Sequence, residues 1–428
     1  MSRAEPRTLL EQLIADAPYT WHEAEARFVE HARVSGEHVS VSWRQLQRIA
    51  AGEIARPRPA IARVLADLFG HPIGELLGPP RDMGLGTADI TDVPSEANIQ
   101  RRSFLAGVAA ASLGAAAPDS FARLLDGIGN GLPQHVGMPE VVAVEAAAEA
   151  YMNFDLARCG NLAAELARGA LNWSTELLKM DMTEPIRQRL SSAVGLLADR
   201  LGWSVYDSGR SDKASRMLVF ALDSAARGAD PDLRAHIMLD LSTVTTDAGY
   251  PADGVDILRA ALGDERISSA ERANLHAVCA RHCASAGYRE SGLRHASLAE
   301  EALAQSDLAD GPDWARQITY GPGHHDSALG LALFALGDAV RSRQHLDSAL
   351  TKLDQRRTRT ALRCRIRLAI LEMRDGNGAG GVTEGYRVIS DVAGVTSRRV
   401  LSDLRMLQDQ AVTHGATTLA ADLAPLIA

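Results

Sequence analysis

Lysine is nearly absent from this 428-residue chain: Lys179, Lys213 and Lys352 stand alone among 45 basic residues, and the rest are arginines. That bias is one of codons in a GC-rich genome and carries no function. Aromatic residues are scarce too, at 4%, so the chain has little of the aromatic surface that sheets use. Alanine, leucine, arginine and glutamate fill it instead, and these lose little freedom in a helix. The expected fold is all-α. The four cysteines, Cys159, Cys279, Cys283 and Cys364, are too few and too scattered for a disulfide framework, and they suit a reducing, cytoplasmic setting. No stretch reaches the roughly 18 consecutive apolar residues of a membrane span. The best, Phe104–Ala117, has 14, so no membrane partner is expected. A formal charge of −9 excludes a protein that coats nucleic acid with its whole surface but leaves room for a local basic patch. With 46% hydrophobic residues, the chain is long enough for two or three folded units.

What is there begins with dense helical patterning over residues 8–78. Leu9, Leu10, Leu13 and Ile14 form one apolar stripe ahead of Pro18. Thr20 and Glu23 make a T-x-x-E capping box for a second helix running to about Arg33. Ser42 then caps a short helix that Gly52 stops, and Ile61, Val64, Leu65, Leu68 and Phe69 form the stripe of another. Ser40–Arg63 holds Arg44, Arg48, Arg56, Arg58 and Arg63 against Glu53 alone, although residues 1–81 as a whole balance ten arginines with ten carboxylates.

This order resembles the helix-turn-helix domain of phage-repressor and xenobiotic-response-element type regulators, most sharply from Val41 to Leu77. The resemblance implies double-stranded DNA as partner, with the Ser-capped helix in the major groove. Its leading residues are Ser42, Trp43, Arg44, Gln45 and Arg48. Arg44 and Arg48 share a face, arginine can fork onto guanine and glutamine can pair with adenine, while Leu46 and Ile49 point to the core. Arg56 and Arg58 follow in a loop placed to hold phosphates. One departure is the 22 residues between the Thr20 and Ser42 caps, about twice what a compact motif needs. Either the second helix is extended or an extra loop precedes the reader.

From about Pro139 onward the chain is helix after helix, and a period emerges. Gly209, Gly249, Gly287, Gly337 and Gly376, spaced by 40, 38, 50 and 39 residues, each mark a turn between two helices. Seven residues before them stand Gly202, Ser242, Ala280, Gly330 and Ala369; five after stand Ala214, Gly254, Gly292, Ser342 and Gly381. All are small, as paired helices in close approach require. Asp155–Leu178, around Gly160, reads as a worn first repeat. The pattern resembles degenerate tetratricopeptide repeats, including the pairs Leu201-Gly202 and Leu329-Gly330.

Such solenoids carry a groove lined by the first helix of each pair. Counting 13, 10, 6 and 3 residues back from the turn glycines gives Asp199, Trp203, Tyr206, His236, Thr243, Asn274, Arg281 and His324 as candidate ligand-binding residues for a peptide or small molecule. A groove that only rests against another domain or subunit is the plainer reading. His276, Cys279 and Cys283 share a helical face with His282 alongside, but a fourth zinc ligand at usual spacing is missing, so core packing is preferred and no metal or cofactor is expected. His324-His325-Asp326 reads as a helix start, and Gly376–Gly381 as a repeat turn rather than a phosphate loop. No nucleotide-binding, hydrolase or metalloprotease motif occurs, and the chain is not expected to be an enzyme.

Between the two halves lies QRRSFLAGVAAASLGAAAP at 100–118, which at a chain's start would be a twin-arginine export signal. Behind a folded domain it reads instead as a linker helix burying Phe104, Leu105, Val108 and Leu113 against the solenoid; export becomes sensible only from a start at Met83. The expected organisation is residues 1–81 as a helix-turn-helix domain, 82–138 as linker and 139–428 as the repeat domain. The whole resembles actinomycete helix-turn-helix regulators with a C-terminal tetratricopeptide-repeat domain, and more distantly Gram-positive peptide-pheromone regulators. That layout implies a homodimeric transcription factor whose solenoid dimerises, senses a ligand, or both. The alternative is a repeat-type protein-interaction adaptor without direct DNA binding.

Overall fold

The computed structural model describes residues 7–15, 21–34, 37, 39–54, 56–69, 71–80, 123–124, 127, 131–156, 160–306, 312–318 and 321–427. Thr20, the polar stretch 82–100 and the twin-arginine string at 100–118 lie outside the described residues. Every described secondary-structure element is a helix, and the chain divides into two compact units, Met1–Asp92 and Val93–Ala428.

The first unit contains α1 (Leu9–Ala15), α2 (Trp21–Val34), α3 (Trp43–Ala50), α4 (Pro59–Phe69) and α5 (Ile73–Leu76). Their apolar stripes meet in one core that includes Leu10, Phe28, Leu46, Ile49, Val64, Leu65 and Leu76. α3 starts because Ser42, in extended conformation, accepts a hydrogen bond from the Gln45 amide at 3.3 Å. It ends at Gly52, whose φ of +76° is open to glycine at little cost. The long spacing before α3 has two sources: α2 runs for 14 residues, and the chain then needs 35–42 to reach Trp43. The Trp43 amide donates to Glu25 Oε2 at 2.9 Å, which fixes the start of α3 on α2.

The second unit is a series of antiparallel helix pairs. α6 (Met138–Leu156) and α7 (Gly160–Leu177) precede six hairpins: α8 (Glu184–Asp207) with α9 (Ser211–Ala226), α10 (Pro231–Asp247) with α11 (Pro251–Leu262), α12 (Ser269–Ser285) with α13 (Arg289–Ala304), α15 (His324–Leu336) with α16 (Ala339–Lys352), α17 (Thr358–Arg374) with α18 (Gly378–Asp391), and α19 (Arg398–Thr413) with α20 (Thr417–Ile427). The short α14 (Asp313–Gln317) sits in the one long connection and accounts for the 50-residue spacing. The five turn glycines have φ between +78° and +98°, and Gly415 makes a sixth turn at +75°. The small positions meet inside each hairpin. A Cβ on Gly254, Gly292 or Gly381 would come within 3.0, 3.1 and 2.8 Å of the carbonyl oxygens of Ser242, Ala280 and Ala369. In the fourth hairpin the Ser342 hydroxyl donates to the Gly330 carbonyl oxygen at 2.8 Å. Two helix backbones therefore touch where the sequence keeps its side chains smallest.

The first helices of successive hairpins pack in a row, and the row closes, because α8 also packs on α19. Asp207 at the end of α8 holds this closure. It accepts from Ser397 Oγ at 2.8 Å, Arg399 Nε at 2.9 Å and Arg359 Nη1 at 3.2 Å, groups that are 152 to 192 residues away along the chain.

Candidate functional site: a cavity inside the row of first helices

A cavity of about 220 Å³, partly open to solvent, lies inside this row and draws its walls from α6, α8, α10, α12, α15, α17 and α19. Of the residues counted back from the turn glycines, Trp203, His236, Thr243, Asn274, Arg281 and His324 line it. Asp199 and Tyr206 do not. Both are fully buried, Asp199 against Arg200 and Tyr206 in a core with Ala214, Leu218 and Val244. The reason is helical phase. Relative to the position 13 before the glycine, those at −9 and −6 stay within about 40° of the same face, whereas −10 and −3 fall about 60–80° away. Arg200 and Asp240, at −9, accordingly face the cavity. The Tyr206 hydroxyl instead donates to Asp247, and burial together with that carboxylate raises its pKa.

The hydrogen bonding on the α10 and α12 wall is specific. His236 Nδ1 lies 3.2 Å from Glu271 Oε1, while His236 Nε2 has no hydrogen-bond partner among the described residues. Burial opposes protonation of His236, but the Glu271 carboxylate outweighs it and raises the pKa. Asn274 donates to Glu271 at 3.3 Å and faces His324 Nε2 through its Oδ1 at 3.0 Å. Burial holds His324 well below its ordinary pKa, so its Nε2–H is the donor and Asn274 the acceptor. Arg200 bridges Asp199 and Asp240, with 2.9 Å to Asp240 Oδ2. Burial and the neighbouring Asp199 push Asp240 up to about 6. Asp199, His236 and Asp240 bring ligand atoms within 4.8 Å of one another, but Arg200 already places a cation between the two carboxylates.

On the opposite wall the count from the glycines reaches only Arg363, 13 residues before Gly376, which was not among the candidates. Arg356, Arg357 and Arg359, at and before the start of α17, line the cavity together with Arg363 in its second turn and Arg399 at the start of α19. Arg399 lies over the Trp203 ring at 4.4 Å and is fixed there by Asp207. The signal in the sequence is a local one: residues 356–367 contain six arginines and no carboxylate. Ile318, after α14, also lines the cavity and receives a hydrogen bond on its carbonyl from Arg357 Nη1 at 3.1 Å, so the long connection contributes part of the wall.

Sequence reasoning also missed His295. Its ring nitrogen and the thiols of Cys279 and Cys283 lie within 4.8 Å of one another, and His276 Nδ1 faces His295 Nδ1 at 2.9 Å. Burial lowers both histidines, His276 to about 4, so one neutral ring donates to the other across the α12–α13 hairpin. Cys279 and Cys283 pack with Val255, Leu258 and Leu275 in the core beside them.

In the first unit, Ser42 caps α3, and Arg44, Gln45, Gln47 and Arg48 are exposed on it while Leu46, Ile49 and Ala50 are buried. The Arg44 guanidinium lies over the half-buried Trp43 ring at 5.0 Å. Arg48 Nε meets Glu53 Oε2 at 3.1 Å, and Arg56 and Arg58 are exposed in the following connection.

No family model matches the chain, and no curated protein matches it. Among solved structures it is similar to a Rap protein complexed with Competence and Sporulation Factor, at 12% identity and a TM-score of 0.46, over 78% of this chain and 97% of that one. It is also similar to a circular tandem repeat protein with novel repeat topology and enhanced subunit contact surfaces, at 13% identity and a TM-score of 0.22, over 95% of this chain and 94% of that one. The repeat architecture described above stands on the chain's own hairpins. No described helix is long and apolar enough to cross a membrane.

Proposed function

We propose that this chain is a ligand-responsive DNA-binding regulator: the second unit binds a ligand in its cavity, and the first unit reads double-stranded DNA with α3. The observation that carries the reading is the cavity, in which side chains from Tyr151 to Arg399 converge on one space where arginines and histidines stand among apolar side chains. A chain that needed only to hold its helices together would fill that space with the alanine and leucine found inside its hairpins. Trp203, His236, Thr243, Asn274, Arg281 and His324 are assigned to ligand contact.

Support for the reader is the division of α3 into a buried apolar face and an exposed face of two arginines and two glutamines behind a serine cap. Arg44, Gln45 and Arg48 are assigned to base edges, and Arg56 and Arg58 to phosphates, with Ser42 and Trp43 setting the start of the helix. A homodimer would bring two such helices to half-sites about one helical turn apart, and ligand binding would act on their separation.

The test is duplex binding by the full chain across a salt series. Each phosphate contact contributes about 0.9 to the slope of log affinity against log salt. Arg56→Ala and Arg58→Ala should each reduce that slope and weaken all duplexes alike. If the wild-type chain binds no duplex, or binds without salt dependence, the first unit is a protein-binding module and the chain an adaptor.

A further inference from the structure

Apart from the cavity, four side chains with metal-ligating atoms converge inside the third hairpin. His276, Cys279 and Cys283 lie on the face of α12 that meets α13, and His295 comes from α13. The Cys279 and Cys283 thiols and a ring nitrogen of His295 lie within 4.8 Å of one another. His276 Nδ1 adds a second imidazole, 2.9 Å from His295 Nδ1. None of the four is among the residues that line the cavity. Both thiols are fully buried, whereas the two rings are partly exposed, so the cluster reaches solvent through its histidines.

Packing alone explains the thiols, which sit among Val255, Leu258 and Leu275, but not why two imidazoles close over them. A disulfide is excluded by the helix. Cys279 and Cys283 are four apart on the continuous α12, where Cβ atoms stand about 5–6 Å apart, and the bond needs about 3.5–4.5 Å. Two thiols and two imidazoles are the donor set of a tetrahedral zinc site. Charge agrees: two thiolates cancel the charge of the ion and neutral imidazoles add none, so the loaded cluster is neutral, as its apolar surroundings require. Distance agrees as well. With bonds of about 2.3 Å to sulfur and about 2.0 Å to nitrogen, ligand atoms on one ion stand about 3.3–3.8 Å apart, so the cluster has to contract by roughly an ångström, which side-chain torsions can supply.

We propose that Cys279, Cys283 and His295 bind a zinc ion, with His276 as its fourth ligand, and that the ion clips α12 to α13. The two thiol protons pass to solvent as the ion enters. α12 also presents Asn274 and Arg281 to the cavity, so the ion steadies that wall.

Cobalt(II) titration of the full chain, stripped with a chelator and kept reduced, tests this. One ion per chain should bind, with the near-ultraviolet charge-transfer band of thiolate ligation and the intense visible bands of a tetrahedral site, and added zinc should bleach both. Zinc should also raise the Tm of the stripped chain where magnesium does not. The double variant Cys279→Ala/Cys283→Ala should lose the charge-transfer band, and His295→Ala and His276→Ala should each weaken binding, while Cys364→Ala leaves it unchanged. Because both rings are partly exposed, the histidine variants should keep the metal-free Tm of the wild type; if the double cysteine variant does not fold, the cobalt titration of His295→Ala decides. No thiolate band in the wild type, a band that survives in the folded double variant, or wild-type affinity in either histidine variant overturns the assignment.

Discussion

Replacing Asp207 with asparagine should loosen the closure of the helix row, and the size of the effect follows from its pKa. Burial pushes the Asp207 carboxyl up, but Arg399, Arg359 and the Ser397 hydroxyl outweigh burial and hold it at about 2, against 3.8 for the free group. A depressed carboxylate contributes stability above its unfolded pKa and loses it as pH falls through the folded one. At about 1.4 kcal/mol per pH unit, the contribution at pH 7 is about 2–3 kcal/mol. With roughly 2.1 cal/mol/K of unfolding entropy per residue over a cooperative unit of about 300 residues, Tm should fall by about 3–5 °C. Calorimetry of wild type and Asp207→Asn from pH 7 to pH 2.5 checks both the size and the sign. The gap between the two should be constant above about pH 4.5 and narrow below pH 4. Equal Tm values at pH 7, or a gap that does not narrow in acid, would refute the claim that Asp207 staples α8 to α17 and α19.

Three further outcomes are expected. Gly202→Leu, Ala214→Leu and Gly254→Ala should each destabilise the second unit by about 1–3 kcal/mol through overpacking, since a Cβ on Gly254 would lie 2.1 Å from Thr246 Oγ1; denaturant melts at wild-type midpoint for all three would remove the hairpin register. Asp240, raised to about 6, is an acid whose folded pKa lies above its unfolded one, so its contribution is present below about pH 4 and lost as pH rises to about 6. Asp240→Asn should therefore shrink the loss of stability over that window in a pH series of melts. Trp203→Ala should abolish the effect of a bound ligand on DNA affinity while leaving duplex binding intact, and by linkage operator DNA should alter ligand affinity in the wild type by the same factor. A normal ligand effect in Trp203→Ala would place the sensor elsewhere.

The hairpins were legible because backbone contact leaves a mark in one dimension: a left-handed turn selects glycine, and touching helices select Gly, Ala and Ser at fixed distances from it. The last hairpin escaped because Gln408 stands seven residues before Gly415, where a small residue was sought, although Ala420 follows five after. The site was legible only in part. Trp203, His236, Thr243, Asn274, Arg281 and His324 follow from a helical count, but the positions 10 and 3 before the glycine lie about 60–80° off the face shared by those at 13 and 6, which put Asp199 and Tyr206 in the core. Arg356–Arg359 could not be found by counting at all, since they reach the cavity from a helix start and not from a repeated helical face. Their run of like charge was the available sign. His295 faces Cys279 and Cys283 only once α12 and α13 fold back on each other, a tertiary fact with no local spacing.

The central claim, that the first unit reads DNA with α3, is tested most directly by selecting duplexes from a random pool with the full chain and with the double variant Arg44→Ala/Arg48→Ala. The account predicts that the wild type enriches a defined sequence and that the double variant still retains duplexes but enriches none, since each lost base contact removes about 1–3 kcal/mol of discrimination. Enrichment of the same sequence by both proteins, or of no sequence by the wild type, would contradict it.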